Sequence, residues 1–307
     1  MKRPYILLLL LFAVAATIKA QAPAGYYNNA ANKTGEELRA ALHDIIKNDD
    51  HLSYSGLWEA YQTTDLKPNS NYIWDIYSNC NFVYGTGQCG SYNEEGDCYN
   101  REHLWPQSWA KGTDHETDLH HVYPTDGWVN SQRGNLAFGK VGTAITTTGN
   151  GSKIGNCVTS GYSGTVFEPI DEYKGDIARA LMYVSVRYYT EDSGWTSSAM
   201  TDGSVIKDWA MTMLLAWHRA DPVSQVILRA RDEDAHRAVV VDEETAVAEL
   251  FEDGIGRGFL PAERLGAELD QLRRGERRVG PDELGKARFD RAESFGFHWN
   301  ASISVYC

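Results

Sequence analysis

Positive charge is what this chain lacks most: 29 lysines and arginines stand against 42 aspartates and glutamates, a formal net charge of −13. That balance excludes a broad basic face as the means of holding a polyanion, because neutralised phosphates supply most non-specific affinity for nucleic acid. Any contact with phosphate must be local, made by a cation and a few side chains. Cysteine is also sparse, with five in 307 residues. Cys80, Cys89, Cys98 and Cys157 are spaced nine, nine and fifty-nine residues apart, so the close Cys-x₂₋₄-Cys pairs of a zinc site are missing. Disulfides in an oxidising compartment are the expectation, with three pairings open. The two-histidine zinc helix is missing as well: His115 and His120 lie five apart, about 140° around a helix. After the N-terminal leader no segment reaches the roughly 20 apolar residues of a membrane span. The leader itself has Met1-Lys2-Arg3, an apolar run from Tyr5 to Ala16 and Ala20 before Gln21, which reads as an export signal over residues 1–20. No cysteine comes after the run to accept a lipid, so the mature protein is expected off the membrane, secreted or periplasmic.

What the chain does have is concentrated between residues 100 and 135. Asn-Arg-Glu-His-Leu-Trp-Pro-Gln-Ser, then Asp-Leu-His-His-Val-Tyr-Pro-Thr-Asp, then Val-Asn-Ser-Gln-Arg-Gly-Asn place carboxylate, imidazole, amide and guanidinium groups in one window. Hydrolysis of a phosphodiester calls on these groups: a base for water, a divalent cation for charge on the leaving oxygen, and donors for the phosphate. His103 suits the first role, Glu102 with Asn130 the second and Arg133 the third. Neighbours on a strand point to opposite faces, so Glu102 and His103 can serve one centre only at a twisted strand end. Thr125 or Asp126 can cap a helix that carries Asn130 and Arg133 on one face. One carboxylate and one amide oxygen suit a hard octahedral ion, Mg²⁺ first, with Mn²⁺ or Ca²⁺ as alternatives. His120 and His121 precede a Val122-Tyr123 strand, one expected to face the core and one to support the site. Each group has a bland reading too: a solvated Glu–His pair, a surface salt bridge for Arg133, an end cap for Asn135, satisfied core histidines.

Along the chain, Thr34-Gly35-Glu36-Glu37 reads as a capping box opening a helix with Leu38, Leu42, Ile45 and Ile46 on one side. Residues 69–100 read as loops with short strands, and 143–164 as a hairpin or surface excursion. Helices are expected over 177–189 and 205–218, the second stopping before Asp221-Pro222. These elements predict a mixed α+β domain over 21–225. At residue 225 the vocabulary changes: all but one of the 17 tyrosines precede it, as do all but one of the lysines, whereas arginine dominates the remainder. Residues 226–307, with helices expected at 239–251 and 261–274, read as an unrelated segment from a fusion, frameshift or assembly error, or as an appended interaction module.

Glu102-His103-x-Trp105-Pro106, Asp118-Leu119-His120-His121-x-Tyr123-Pro124 and Val129-Asn130-x-x-Arg133-x-Asn135 resemble the secreted bacterial endonuclease I family. Ser55-x-Leu57-Trp58, the Gly96–Arg101 run, Phe167-Glu168-Pro169 with Lys174–Arg179, and Leu215-x-Trp217-His218 with Asp221-Pro222-Val223-Ser224 agree in order, over roughly residues 26–225. The resemblance implies a ββα-metal, or His-Me finger, core embedded in a mostly helical single domain. It further implies a non-specific nuclease on DNA, and often RNA, that leaves 5′-phosphate ends. His103 is then the general base, Glu102 and Asn130 hold the cation, and Arg133 and Asn135 serve the phosphate or the metal-bearing helix. Arg101, Asp118, His120, His121, Lys174 and Arg179 are candidates for phosphate contact or support. No protein partner is implied. The rival readings are a catalytically silent nucleic-acid or cell-surface binding module, and a secreted phosphodiesterase for small substrates.

Overall fold

A computed structural model describes residues 25–48, 52–110 and 114–221. The export signal over 1–20, the segment 226–307 and the helices expected within it lie outside the described residues.

The first helix, α1 (Gly35–Ile46), buries Leu38, Ala41, Leu42 and Ile46, a stripe spaced three and four apart. The capping box is corrected. Thr34 occupies the N-cap position but makes no side-chain cap bond, and Glu37 pairs with Lys33 at 2.6 Å instead of reaching back. Helix α2 (Gly56–Thr64) comes next. The loop-rich stretch after it is pinned by isolated bridges, Leu66 to Ile73, Tyr72 to Val83 and Gln88 to Tyr99. A disulfide joins Cys89 to Cys98, while Cys80 and Cys157 keep free thiols, so neither half of a second bridge is used.

Cys98 leads straight into strand β1 (Tyr99–His103), which pairs antiparallel with β2 (Val122–Asp126). The register sets Glu102 opposite Tyr123 and His103 opposite Val122. Helix α3 (Gly127–Arg133) begins without a linker, because the Asp126 side chain accepts from Val129 N–H at 2.9 Å, as the capping argument expects. It stops at Gly134, whose φ of 52° suits glycine. The strand–strand–helix unit packs on itself.

Strands β3 (Ala137–Phe138), β4 (Val141–Thr147), β5 (Lys153–Cys157) and β6 (Thr165–Glu168) form one sheet in the order β3-β6-β5-β4. The expected hairpin over 143–164 is its β4–β5 half. Glycine is required at 155, where a Cβ would stand 2.2 Å from the Thr143 carbonyl oxygen. This sheet is strand structure beyond the mostly helical surround that was expected. Helix α4 (Lys174–Arg187) is buried from Gly175 to Arg187, as a helix at the centre of a core must be. It starts three residues before the expected Ile177. A ribbon of β7 (Thr201–Asp202) and β8 (Val205–Ile206) uses the residues expected to open the last helix, so α5 spans Asp208–Ala220. Helices α1 and α5 both pack against α4. The described residues thus form an α+β architecture.

Candidate active site

Alternation along β1 sorts its side chains onto two faces. Asn100 and Glu102 face α3, while Arg101 and His103 face the loop that carries Tyr54. His103 is the last residue of the strand, and the next residue, Leu104, still donates its N–H to the His121 carbonyl at 3.1 Å.

Glu102 is 2% exposed. Its Oε1 accepts from the Tyr77 hydroxyl at 2.7 Å and from Arg133 Nη1 at 2.8 Å, while Oε2 accepts from none of the described residues. Burial pushes its carboxyl up to about 7, against the pull of Arg133 and Tyr77. The same burial and the adjacent Glu102 carboxylate hold the Tyr77 phenol well above its usual value. Asn130, on α3, donates its amide to Asn100 Oδ1 at 2.7 Å and to the Arg101 carbonyl at 3.1 Å. That fixes the amide so that its own oxygen is the atom left over. Two oxygens, one from a carboxyl and one from an amide, are therefore anchored on the face between β1 and α3. They fit a hard, largely hydrated cation. Among the described residues no group of three or more His, Cys, Asp or Glu is placed to hold a metal.

His103 Nε2 lies 3.0 Å from the Glu116 carbonyl oxygen, which can only accept, so Nε2 carries the proton and Nδ1 is a free acceptor. Burial first, and then the nearby His121, Arg101 and Arg133, lower the ring's pKa to about 3 despite that bond. The imidazole is neutral at ordinary pH, the state a base requires.

Arg133 is 1% exposed, and both terminal nitrogens of its guanidinium are engaged: Nη1 also donates to the His103 carbonyl at 2.9 Å and Nη2 to the Leu104 carbonyl at 2.7 Å, while Nε has no partner among the described residues. It fastens α3 to the end of β1 and pairs with Glu102. Asn135 is exposed in the turn after α3. Asp118 organises the approach to β2: Oδ1 accepts from His120 N–H and Nδ1, both at 2.9 Å, and Oδ2 from Tyr188. Burial opposes ionisation there, but His120 and His121 outweigh it and hold the carboxyl below the usual range. His120 stacks on Tyr183 with centroids 4.0 Å apart. His121 is fully buried, its Nε2 2.7 Å from the His115 carbonyl and its ring 6.1 Å from His103, so this histidine, of the two, lies against the His103 ring. Burial chiefly lowers its pKa to about 4.

Lys174 and Arg179 do not join this group. Lys174 is held by Glu168 and Asp171, and Arg179 is buried with Asp176, His218 and the Asp221 carbonyl, at the start of α4 and the end of α5. Acidic partners hold both cations. Two residues that composition did not reveal matter more. Tyr77 holds Glu102. Asp75, 1% exposed, accepts five hydrogen bonds, from Tyr77 N–H, Ser78 N–H, Ser78 Oγ, Thr125 Oγ1 and Asp126 N–H, and so locks the β2–α3 junction. A lone acid amid Ile73, Trp74, Ile76 and Tyr77 was the available signal.

A buried carboxyl and an amide oxygen between β1 and α3, with a buried imidazole at the end of β1, are the candidate groups that the strand–strand–helix unit carries. The chain belongs to the Endonuclease I family, whose model matches residues 34–239, running past the residue 225 boundary read from composition. It is similar to the extracellular ribonuclease of Bacillus subtilis (strain 168), 37% identical over 211 residues, covering 64% of this chain and 66% of the relative. The extracellular ribonuclease of Bacillus amyloliquefaciens is 35% identical over 206 residues, with the same coverage. The chain thus spans just under two thirds of the length of these relatives. Their extracellular naming agrees with the export signal, and among the described residues no helix is long and apolar enough to cross a membrane.

Proposed function

We propose that this chain is a secreted, divalent-cation-dependent endonuclease with a His-Me finger site, hydrolysing phosphodiesters of RNA and DNA with little sequence preference and leaving 5′-phosphate ends. The observation that carries the reading is the contact of His103 Nε2 with the Glu116 carbonyl, which favours the tautomer that leaves Nδ1 to take the proton of an attacking water. Glu102 Oε2 and the Asn130 amide oxygen would hold Mg²⁺, or Mn²⁺ or Ca²⁺ in its place. When bound, that ion supplies positive charge to the scissile phosphate and the departing 3′ oxygen. Arg133 and Tyr77 keep the Glu102 carboxylate aimed, and Asp75 keeps α3 in register with β1. Partly exposed Arg101, on the His103 face of β1, is the cation available to the nucleic-acid backbone, which carries no sequence information. The extracellular ribonuclease relatives support RNA as a substrate.

The test is cleavage of plasmid DNA and of RNA by the full chain after chelation and add-back of Mg²⁺, with His103→Ala alongside. We expect the variant to lose cleavage on both substrates while calorimetry shows cation affinity kept. Loss of cation binding in His103→Ala would assign the imidazole to the wrong role.

A further inference from the structure

We infer that Tyr54 and Arg101 form a stacking subsite for an unpaired base beside the scissile phosphate, which makes single-stranded nucleic acid the preferred substrate. The inference rests on the nuclease reading above. Tyr54 stands 41% exposed just before α2, with its ring nearly parallel to that of His103, at 15° and 6.0 Å between centroids. Isolated exposed aromatics need no explanation, but this one is fixed. The Arg101 guanidinium carbon lies 3.6 Å over the Tyr54 ring and 4.4 Å over that of half-buried Trp58, and Arg101 Nη1 donates to the Tyr54 carbonyl at 2.6 Å. A cation packed against two aromatic rings and bonded to the backbone of one is a rigid platform, and Tyr54 lies over the β1 face from which His103 projects.

The charge of the chain argues in the same direction. With a net charge of −13, binding cannot rest on release of many counterions. Stacking supplies affinity that needs no net charge and tolerates every base, since each has a π face; one base on one aromatic changes affinity by about tenfold or more. A base inside a duplex stays stacked on its neighbours and reaches Tyr54 only if extruded, which adds an unstacking and unpairing penalty. The platform therefore discriminates strandedness and not sequence.

The experiment measures kcat/KM of the full chain, with Mg²⁺, on single-stranded and duplex oligonucleotides of one sequence, for wild type, Tyr54→Phe and Tyr54→Ala. The expected result is a single-strand preference that falls about tenfold or more in Tyr54→Ala, through KM, and is retained in Tyr54→Phe. An abasic nucleotide moved along the single strand should reproduce the KM increase at one position in wild type and add nothing in Tyr54→Ala. An unchanged preference in Tyr54→Ala, or an abasic effect that simply adds to the substitution, overturns the subsite while leaving the nuclease reading standing. A wild type that cleaves neither substrate overturns the nuclease reading, and the subsite with it.

Discussion

Replacing Arg133 by methionine removes a buried charge while keeping most of the side chain's length. Three hydrogen bonds of 2.7–2.9 Å disappear, to Glu102 Oε1 and to the His103 and Leu104 carbonyls. Glu102 keeps only the Tyr77 hydroxyl. Breaking a buried pair from one side costs about 3–5 kcal/mol, a large share of the roughly 5–15 kcal/mol by which domains are stable. The loss also has a pH signature. Glu102 already has its carboxyl raised to about 7, and without Arg133 it rises further. A carboxyl raised in the folded state gives stability that is complete below its unfolded value and is lost as pH climbs toward the folded value, at about 1.4 kcal/mol per unit. Arg133→Met should therefore be more destabilised at pH 8 than at pH 6. Adding Glu102→Gln removes the stranded charge, so the double variant should be at least about 1 kcal/mol more stable than the sum of the singles. Urea unfolding followed by tryptophan fluorescence in the presence of a chelator reads all four corners. A loss below about 1 kcal/mol, independent of pH and additive in the double variant, would refute the buried pair as the strut of the site.

Asp75→Asn replaces an acceptor of five bonds by a group with one acceptor oxygen and an amide aimed at donors. Hydrogen bonds to charged groups contribute about 1.5–3 kcal/mol each, so we expect a loss of roughly 2–4 kcal/mol in urea melts together with weaker cleavage; a neutral result would remove Asp75 from the β2–α3 junction. Burial holds His121 neutral, with its pKa at about 4 against about 6.5 when unfolded. Its contribution to stability is complete above about 6.5 and is lost as pH falls toward 4. His121→Gln should flatten the acid side of the stability–pH curve by about 1.4 kcal/mol per unit in that window, and an unchanged slope would contradict a buried neutral ring.

Some features that depend on neighbours in the chain were legible from the sequence, although the Thr34–Glu37 capping box was not formed. Asp126 caps α3 because its carboxylate is three residues from Val129 N–H, and the α1 stripe arises from helical spacing. The Glu102–His103 pair and Asn130 stood out because β1, β2 and α3 supply the groups from one short window. Long-range desolvation and partner choice were decided only by the tertiary structure. Arg133 reads as a phosphate ligand until burial turns it toward Glu102, 31 residues earlier. Lys174 and Arg179 read as cations near phosphate, whereas in the fold they pair with acids around the start of α4. Tyr77 and Asp75 come from a stretch without period and act on residues 25 to 51 positions away. His103 is neutral because folding removes water from its ring, and a carbonyl is set against its Nε2. Sequence specifies which groups a chain owns, and packing decides which of them remain charged, paired or available.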